Sequence, residues 1–288
     1  MPLAIVLAVI DGAPGSEAAM KAALEVGRRF SARIDLLHVE IDPASAVPVV
    51  GEGMSGAAVE QIIDSLQAEA ETRRMEAERL FGELCVAAKL PVVEPDSTPK
   101  AGEFSVAFHK VKGTEPDEVL RHGRLADLIV LARTGWEGDG GLSATFDGAL
   151  FDSGRPVLLL PQAPVAGIGR SVAVAWDGSR ESARAATAAL PFLENAEKVV
   201  ILTARETDHD AEPSQLAGFL AAHGVAGKTW AFSPDGGIGD ALLEEAGKAK
   251  ADLLVMGAYG HSRLRELVLG GATRDVLVNA AIPVLMAH

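Results

Sequence analysis

The sequence predicts an α/β protein of two repeated domains, each an open five-stranded parallel sheet with helices on both faces. Apolar runs of five or six residues alternate with helical stretches along the 288-residue chain, as in βαβ units whose strands are buried on both faces. The same series then occurs twice, which marks an internal repeat. Composition agrees: 48% hydrophobic residues but only 5% aromatic suits Ala- and Val-rich strands under small-residue helices.

The elements pair off in order. Val6 to Ile10, closed by Asp11-Gly12, is echoed by Val172 to Trp176 with Asp177-Gly178. Each runs into an Ala-rich helical stretch, Glu17 to Val26 and Glu181 to Leu190. Ile34 to Val39 matches Val199 to Ala204 as a second strand, and Ser105 to Val111 with Lys228 to Phe232 read as the third. Ala126 to Leu131 matches Ala251 to Met256, and Arg155 to Leu160 matches Ile282 to Met286. The Pro/Gly/Ala linker Pro161 to Gly169 separates a domain at 1–162 from one at 169–288. So short a linker keeps the halves together, as an internal pseudo-dimer.

The first repeat carries an insertion at about 41–103. It reads as a loop, Asp42 to Gly56, and a long helix, Ala57 to Lys89, with Val59, Ile62, Ile63, Leu66, Ala70, Ala77, Leu80, Phe81 and Leu84 at helical spacing. A core-facing amphipathic helix is the expectation; a partner-binding helix is the competing one.

Charge and composition exclude several functions. A formal net charge of −14 opposes non-specific binding to nucleic acid or an anionic membrane. Cys85 is single, which rules out an intramolecular disulfide and a cysteine-based metal site. No apolar run reaches membrane-spanning length, so a cytoplasmic protein is expected. No Gly-x-Ser-x-Gly elbow, P-loop lysine or zinc-ligand spacing is legible. The polar stretch Asp208-His209-Asp210 reads as a solvated turn rather than a metal site.

One segment points to a ligand class. Behind the Ala251–Met256 run come Gly257 and Gly260, then Gly270-Gly271 after nine further residues. A strand that enters a glycine loop and then a helix start is suited to phosphate. Glycines let backbone N–H groups approach the anion, and the helix N-terminus adds partial positive charge. His261 could reach a phosphate or stand as an exposed loop residue. Arg263, Arg265 and Arg274 add positive charge nearby, and Arg274 sits where it opposes the helix dipole.

These residues resemble the universal stress protein family. The likeness is carried by the repeat unit, the Asp-Gly-Ser after the first strand, the Gly257-x₂-Gly260-x₉-Gly270 run and the Pro-Val-Leu last strand. The chain looks like a tandem member. The resemblance implies the strand order 3-2-1-4-5 in each domain and association through the fifth strands. It also implies ATP binding, with Mg²⁺ as a companion ion, where the glycine pattern is kept. Carried over, Ala175 and Asp177 would close strand one beside the adenosine, and Ala204 would contact adenine at the end of strand two. Met256, Gly257, Gly260 and His261 would line the phosphate loop, with Gly270, Gly271, Ala272 and Thr273 at the helix start. Asp177 could equally cap its helix. Gly271 stands where the family pattern has Ser or Thr, so one hydroxyl donor is lost unless Thr273 replaces it.

The first half departs further. Ala132-Arg133-Thr134-Gly135 keeps only the second glycine, and Glu137 and Asp139 follow where phosphate would be repelled. It reads as degenerate for nucleotide. The expected protein is therefore a stress-response sensor or switch with one adenine-nucleotide site per chain. The alternatives are a scaffold acting through protein partners, with further homodimerisation open to it, and a slow ATP hydrolase.

Overall fold

Ten strands form one sheet in the order β3-β2-β1-β4-β5-β10-β9-β6-β7-β8. In the first half the strands are β1 (Ile5–Val9), β2 (Arg33–Ile41), β3 (Ser105–Gly113), β4 (Leu128–Ala132) and β5 (Val157–Leu160). In the second they are β6 (Ser171–Ala175), β7 (Lys198–Ala204), β8 (Gly227–Phe232), β9 (Leu253–Gly257) and β10 (Val284–Ala287). Pairing is parallel within each group of five. The groups meet through antiparallel β5 and β10, with Val284 opposite Leu159 and Met286 opposite Val157. The strands thus make one continuous sheet rather than two separate open ones, and the carboxyl ends of the two halves point in opposite directions. This computed structural model describes residues 3–41, 56–133, 143–163, 165, 167–205, 212–260 and 271–288. The insertion loop, the first-half loop with Gly135, Glu137 and Asp139, the Asp208–Asp210 turn and the segment with His261, Arg263, Arg265 and Gly270 lie outside the described residues.

Alternation along each strand builds two apolar layers. Val6, Ala8 and Ile10 belong to one core, and Leu7 and Val9 to the other. The first layer is covered by α1 (Ser16–Phe30), α2 (Gly56–Ala88), α5 (Arg180–Ala188), α6 (Leu190–Glu194) and α7 (Pro213–Ala222). The second is covered by α3 (Glu115–Gly123), α4 (Ala144–Asp147) with the π-helical turn Gly148–Asp152, α8 (Ile238–Lys248) and α9 (Ala272–Asn279). Leu158, Leu159, Val284 and Leu285 at the join are at most 1% exposed, each stabilising the junction by about 1.5–3 kcal/mol.

Arginines reinforce the join. Arg29 of α1 donates to the carbonyls of Ile168, Gly169 and Asn195, while Phe30 meets Phe192 edge-on at 5.0 Å. Arg133, just beyond β4, donates to the carbonyls of Val278 and Ala280 at 2.7 and 2.8 Å. Those oxygens are orphaned at the end of α9, where a cation also complements the helix dipole.

The long helix departs from expectation. Among its described residues only Ala77 and Leu80 are buried, with Phe81 stacked on Phe108 at 4.9 Å, whereas Ile62, Ile63 and Leu66 are half-buried. A 33-residue helix is about 50 Å long, while the nine-residue β2 and β3 beneath it span about 30 Å. The helix therefore outreaches the sheet and packs through its second half. Its outer face carries ion pairs such as Arg74 with Glu71 and Glu78.

Candidate functional site

β6 ends at Ala175 beside β7 and β9, where the strand order of the second half reverses. Open α/β sheets form their ligand crevice outside the carboxyl ends at such a point. Here Gly178 takes a left-handed φ of 76° and turns the chain into α5. Ser179 is the N-cap of that helix, its Oγ accepting from the Ser182 N–H at 3.1 Å. Asp177 is therefore not the cap. Its Oδ1 accepts from the Ser179 N–H at 2.9 Å and from the Ser179 hydroxyl at 2.6 Å, holding the capping residue in place.

A cleft of about 120 Å³ opens between these elements. Ala175, Asp177, Ala204, Met256, Gly257, Gly260, Ala272 and Thr273 all line it. Gly271 is the N-cap of α9 at its edge. His261 and Gly270 fall outside the described residues. The remaining walls come from Trp176, Leu202, Phe232, Ile238 and Leu242, which the sequence reading missed. Phe232 on β8 and Ile238 and Leu242 on α8 come from two further elements, and only the fold brings them together. The alternation that turns Leu202 and Phe232 to the same face as Ala204 was the available signal. An apolar slot of this kind suits a flat heteroaromatic ring.

The loop glycines have different neighbours. A Cβ on Gly257 would lie 2.4 Å from the Ser182 nitrogen and 2.6 Å from the Glu181 carbonyl carbon. That glycine lets β9 pass against the start of α5, whatever the ligand. A Cβ on Gly260 would have side-chain atoms as its nearest described neighbours, the Glu181 carboxylate at 3.1 Å and Ser179 Oγ at 3.5 Å. Glu181 is 2% exposed and ion-paired to Arg180, an acid beside the loop that the sequence reading did not single out. Between the glycines, Tyr259 takes a left-handed φ of 56°, and its N–H donates to Thr273 Oγ1 at 3.3 Å. The Thr273 hydroxyl thus clamps the loop to the helix start as an acceptor, keeping its own O–H as a donor.

The start of α9 is informative. With Gly271 as N-cap, that position supplies no side chain to accept from the first turn. At the matching start of α4 in the first half, Ser143 accepts from the Phe146 N–H at 3.1 Å. A hydroxyl residue at this turn satisfies an N–H that would otherwise face the cleft.

The first-half counterpart is a smaller cleft of about 80 Å³ lined by Asp11, Glu115, Ser143 and Thr145 among others. Asp11 Oδ1 accepts from the Ala13 N–H at 3.0 Å and from the Ser16 hydroxyl at 2.7 Å. Burial pushes the Glu115 carboxyl above its ordinary range, partly offset by the hydrogen bond from Thr145 Oγ1 at 2.7 Å. At its mouth, α2 passes so close that a Cβ on Gly12 (φ 75°) would lie 2.1 Å from the Arg73 carbonyl oxygen. Two acids thus line this cleft, and a helix crosses the Asp-Gly turn.

Residues 234–288, the stretch holding the glycine loop and α9, match the Universal stress protein family. A universal stress protein of Synechocystis sp. is 62% identical over 34 residues, a segment spanning 12% of this chain and 12% of that one. In fold, the chain resembles a universal stress protein of Archaeoglobus fulgidus at a TM-score of 0.68 and 17% identity, covering 98% of this chain and 95% of that chain. It also resembles a functionally unknown protein of Pseudomonas aeruginosa at a TM-score of 0.59 and 15% identity, over 99% and 92% of the two chains. No helix among the described residues is long and apolar enough to cross a membrane. The last fifty-five residues thus match the Universal stress protein family, and the chain as a whole shares the fold of the two solved structures.

Proposed function

We propose that this chain is a tandem stress-response protein that binds ATP or a related adenine nucleotide in residues 169–288 and works as a sensor or switch. The observation that carries the reading is the convergence of Asp177, Ala204, Met256 and Gly260 on one cleft beside a helix whose N-cap is a glycine. The apolar slot between Leu202, Phe232 and Leu242 would take the base. Asp177 would face the ribose, and the backbone around Gly260 with the first turn of α9 would face the phosphates. Mg²⁺ would travel with the phosphates, since it keeps several waters and needs few protein ligands. The strand order within each group of five supports reading the chain as two such units.

Native mass spectrometry of the purified protein tests this directly. One bound adenine nucleotide per chain is the expected result, and the absence of any adduct, both as purified and after nucleotide is added, would refute it. A scaffold acting through protein partners is the second reading. It is favoured by Gly257, whose conformation the α5 contact explains without any ligand, and by the Glu181 carboxylate beside Gly260. Slow hydrolysis would appear as ADP after prolonged incubation.

A further inference from the structure

The glycine loop of the second half leans on the first half. Phe151 lies in the π-helical turn ahead of β5, and its ring centre is 5.2 Å from that of Tyr259, the residue before Gly260. The same Phe151 ring meets the His288 ring edge-on at 4.8 Å. A carbonyl oxygen only accepts, so His288 Nδ1 donates to the Ala258 carbonyl, at 2.9 Å. The Ala258 N–H in turn donates to the Ala287 carbonyl at 3.0 Å. One ring from the first half thus touches both Tyr259 and the histidine that holds Ala258.

Tyr259 needs such support. Its φ of 56° lies in the left-handed region, which a bulky residue keeps only where its surroundings hold it there. The bond from its N–H to Thr273 Oγ1, at 3.3 Å, is longer than the usual N–H···O range. Ring packing adds to it: Phe151 and Tyr259 both rest on the second apolar layer, where an aromatic pair stabilises beyond the area it buries. The antiparallel join explains why these residues meet. With β5 and β10 side by side and opposed, the stretch ahead of each fifth strand faces the segment after the other half's fourth. Ala280, ahead of β10, accepts from Arg133, just after β4; Phe151, ahead of β5, packs on Tyr259, just after β9. Only the second contact bears on the cleft, since Gly257, Gly260 and Thr273 all line it.

We propose that Phe151 is a positioning residue of the nucleotide site: its ring holds Tyr259 left-handed and so keeps the Gly257–Gly260 backbone in the shape that receives phosphate. This role rests on the nucleotide reading. It gives the first half a part in a cleft whose described lining comes from the second half alone.

The test uses the full chain with isotope-labelled Tyr and Phe rings. Tyr259 is its one tyrosine, so the tyrosine ring signals need no assignment. In the unaltered protein the NOE from Tyr259 to a phenylalanine ring is expected both free and with ATP and Mg²⁺ bound. Its loss on binding overturns the proposal, a result that does not depend on how any variant folds. Phe151→Leu keeps apolar bulk without a ring: the Tyr259 signals move, and calorimetry gives an ATP affinity about three- to tenfold weaker, the worth of one aromatic pair. Phe151→Tyr restores a ring and recovers most of that loss. Leu80→Ala, in the packing of the long helix, lowers stability and leaves ATP affinity unchanged, which separates positioning from a general loosening. Equal ATP affinity in Phe151→Leu, or the same weakening in Leu80→Ala, overturns this role and leaves the nucleotide reading standing. No ATP binding by the unaltered chain overturns both.

Discussion

Gly257 and Gly260 sit three residues apart in one loop, yet a side chain on each would meet different atoms. At Gly257 the obstacle is backbone, the nitrogen of Ser182 and the carbonyl carbon of Glu181, which cannot swing aside. Gly257→Ala is expected to lower stability by about 1–3 kcal/mol, as overpacking of a fixed contact does, and urea denaturation measures it. At Gly260 the nearest atom is a carboxylate oxygen, so Gly260→Ala should leave the urea midpoint nearly unchanged. Glu115 gives a pH test. Its folded pKa is raised by burial, so it costs stability as pH climbs above its unfolded value of about 4.3. Glu115→Gln keeps an acceptor for Thr145 and should stabilise the protein at pH 7, the gain vanishing by about pH 4. An equal gain at both pH values would contradict this. Asp35 has the opposite sign. Burial pushes its carboxyl up, but hydrogen bonds from His109 and Arg33 outweigh that and hold it below the ordinary range. Its contribution is full above about pH 4 and is lost as pH falls through the lowered value. The sequence showed both glycines and the acids, but not which of them face backbone. That depends on α5 crossing β9, a contact between residues some seventy-five positions apart.

The elements were largely legible because their signals are local. Apolar runs marked every strand, and the Asp-Gly turns marked where β1 and β6 give way to helices. The helix start at Ala272 lies where Gly270-Gly271 placed it. The long helix was legible in extent but not in packing, because periodicity gives a face without saying how far the facing sheet reaches. Its overhang makes a contrast that calorimetric melting or urea denaturation can check. Leu80→Ala, on the packed half, should cost about 2–4 kcal/mol, whereas Ile62→Ala, half-buried beyond the sheet, should cost well under half as much. Similar losses at both positions would mean the overhang is packed in solution. The wall residues Phe232 and Leu242 were harder to assign for a related reason: their apolar character fits any core, and the face that alternation gives Phe232 meets the cleft only through the parallel pairing of β7 with β8.

For the whole molecule, the repeat acts as its own control. Both halves keep the strands and the Asp-Gly turn, but the α4 start carries a Ser143 hydroxyl cap where the α9 start has Gly271. The first half instead places two acids and the backbone of α2 at the corresponding turn. The antiparallel join of β5 and β10, stapled by Arg29 and Arg133, holds these unlike halves in one sheet. Removing a staple should be felt as a loss of stability: Arg133→Met gives up two hydrogen bonds to carbonyls at the end of α9, a cost of about 1–3 kcal/mol, read as a lowered urea midpoint. The central claim is one nucleotide site per chain, in the second half. Isothermal titration calorimetry with ATP and Mg²⁺ tests it most directly. The account predicts a stoichiometry of one, abolished by Gly260→Val and unchanged by Glu115→Gln; a stoichiometry of two, or binding that survives Gly260→Val intact, would contradict it.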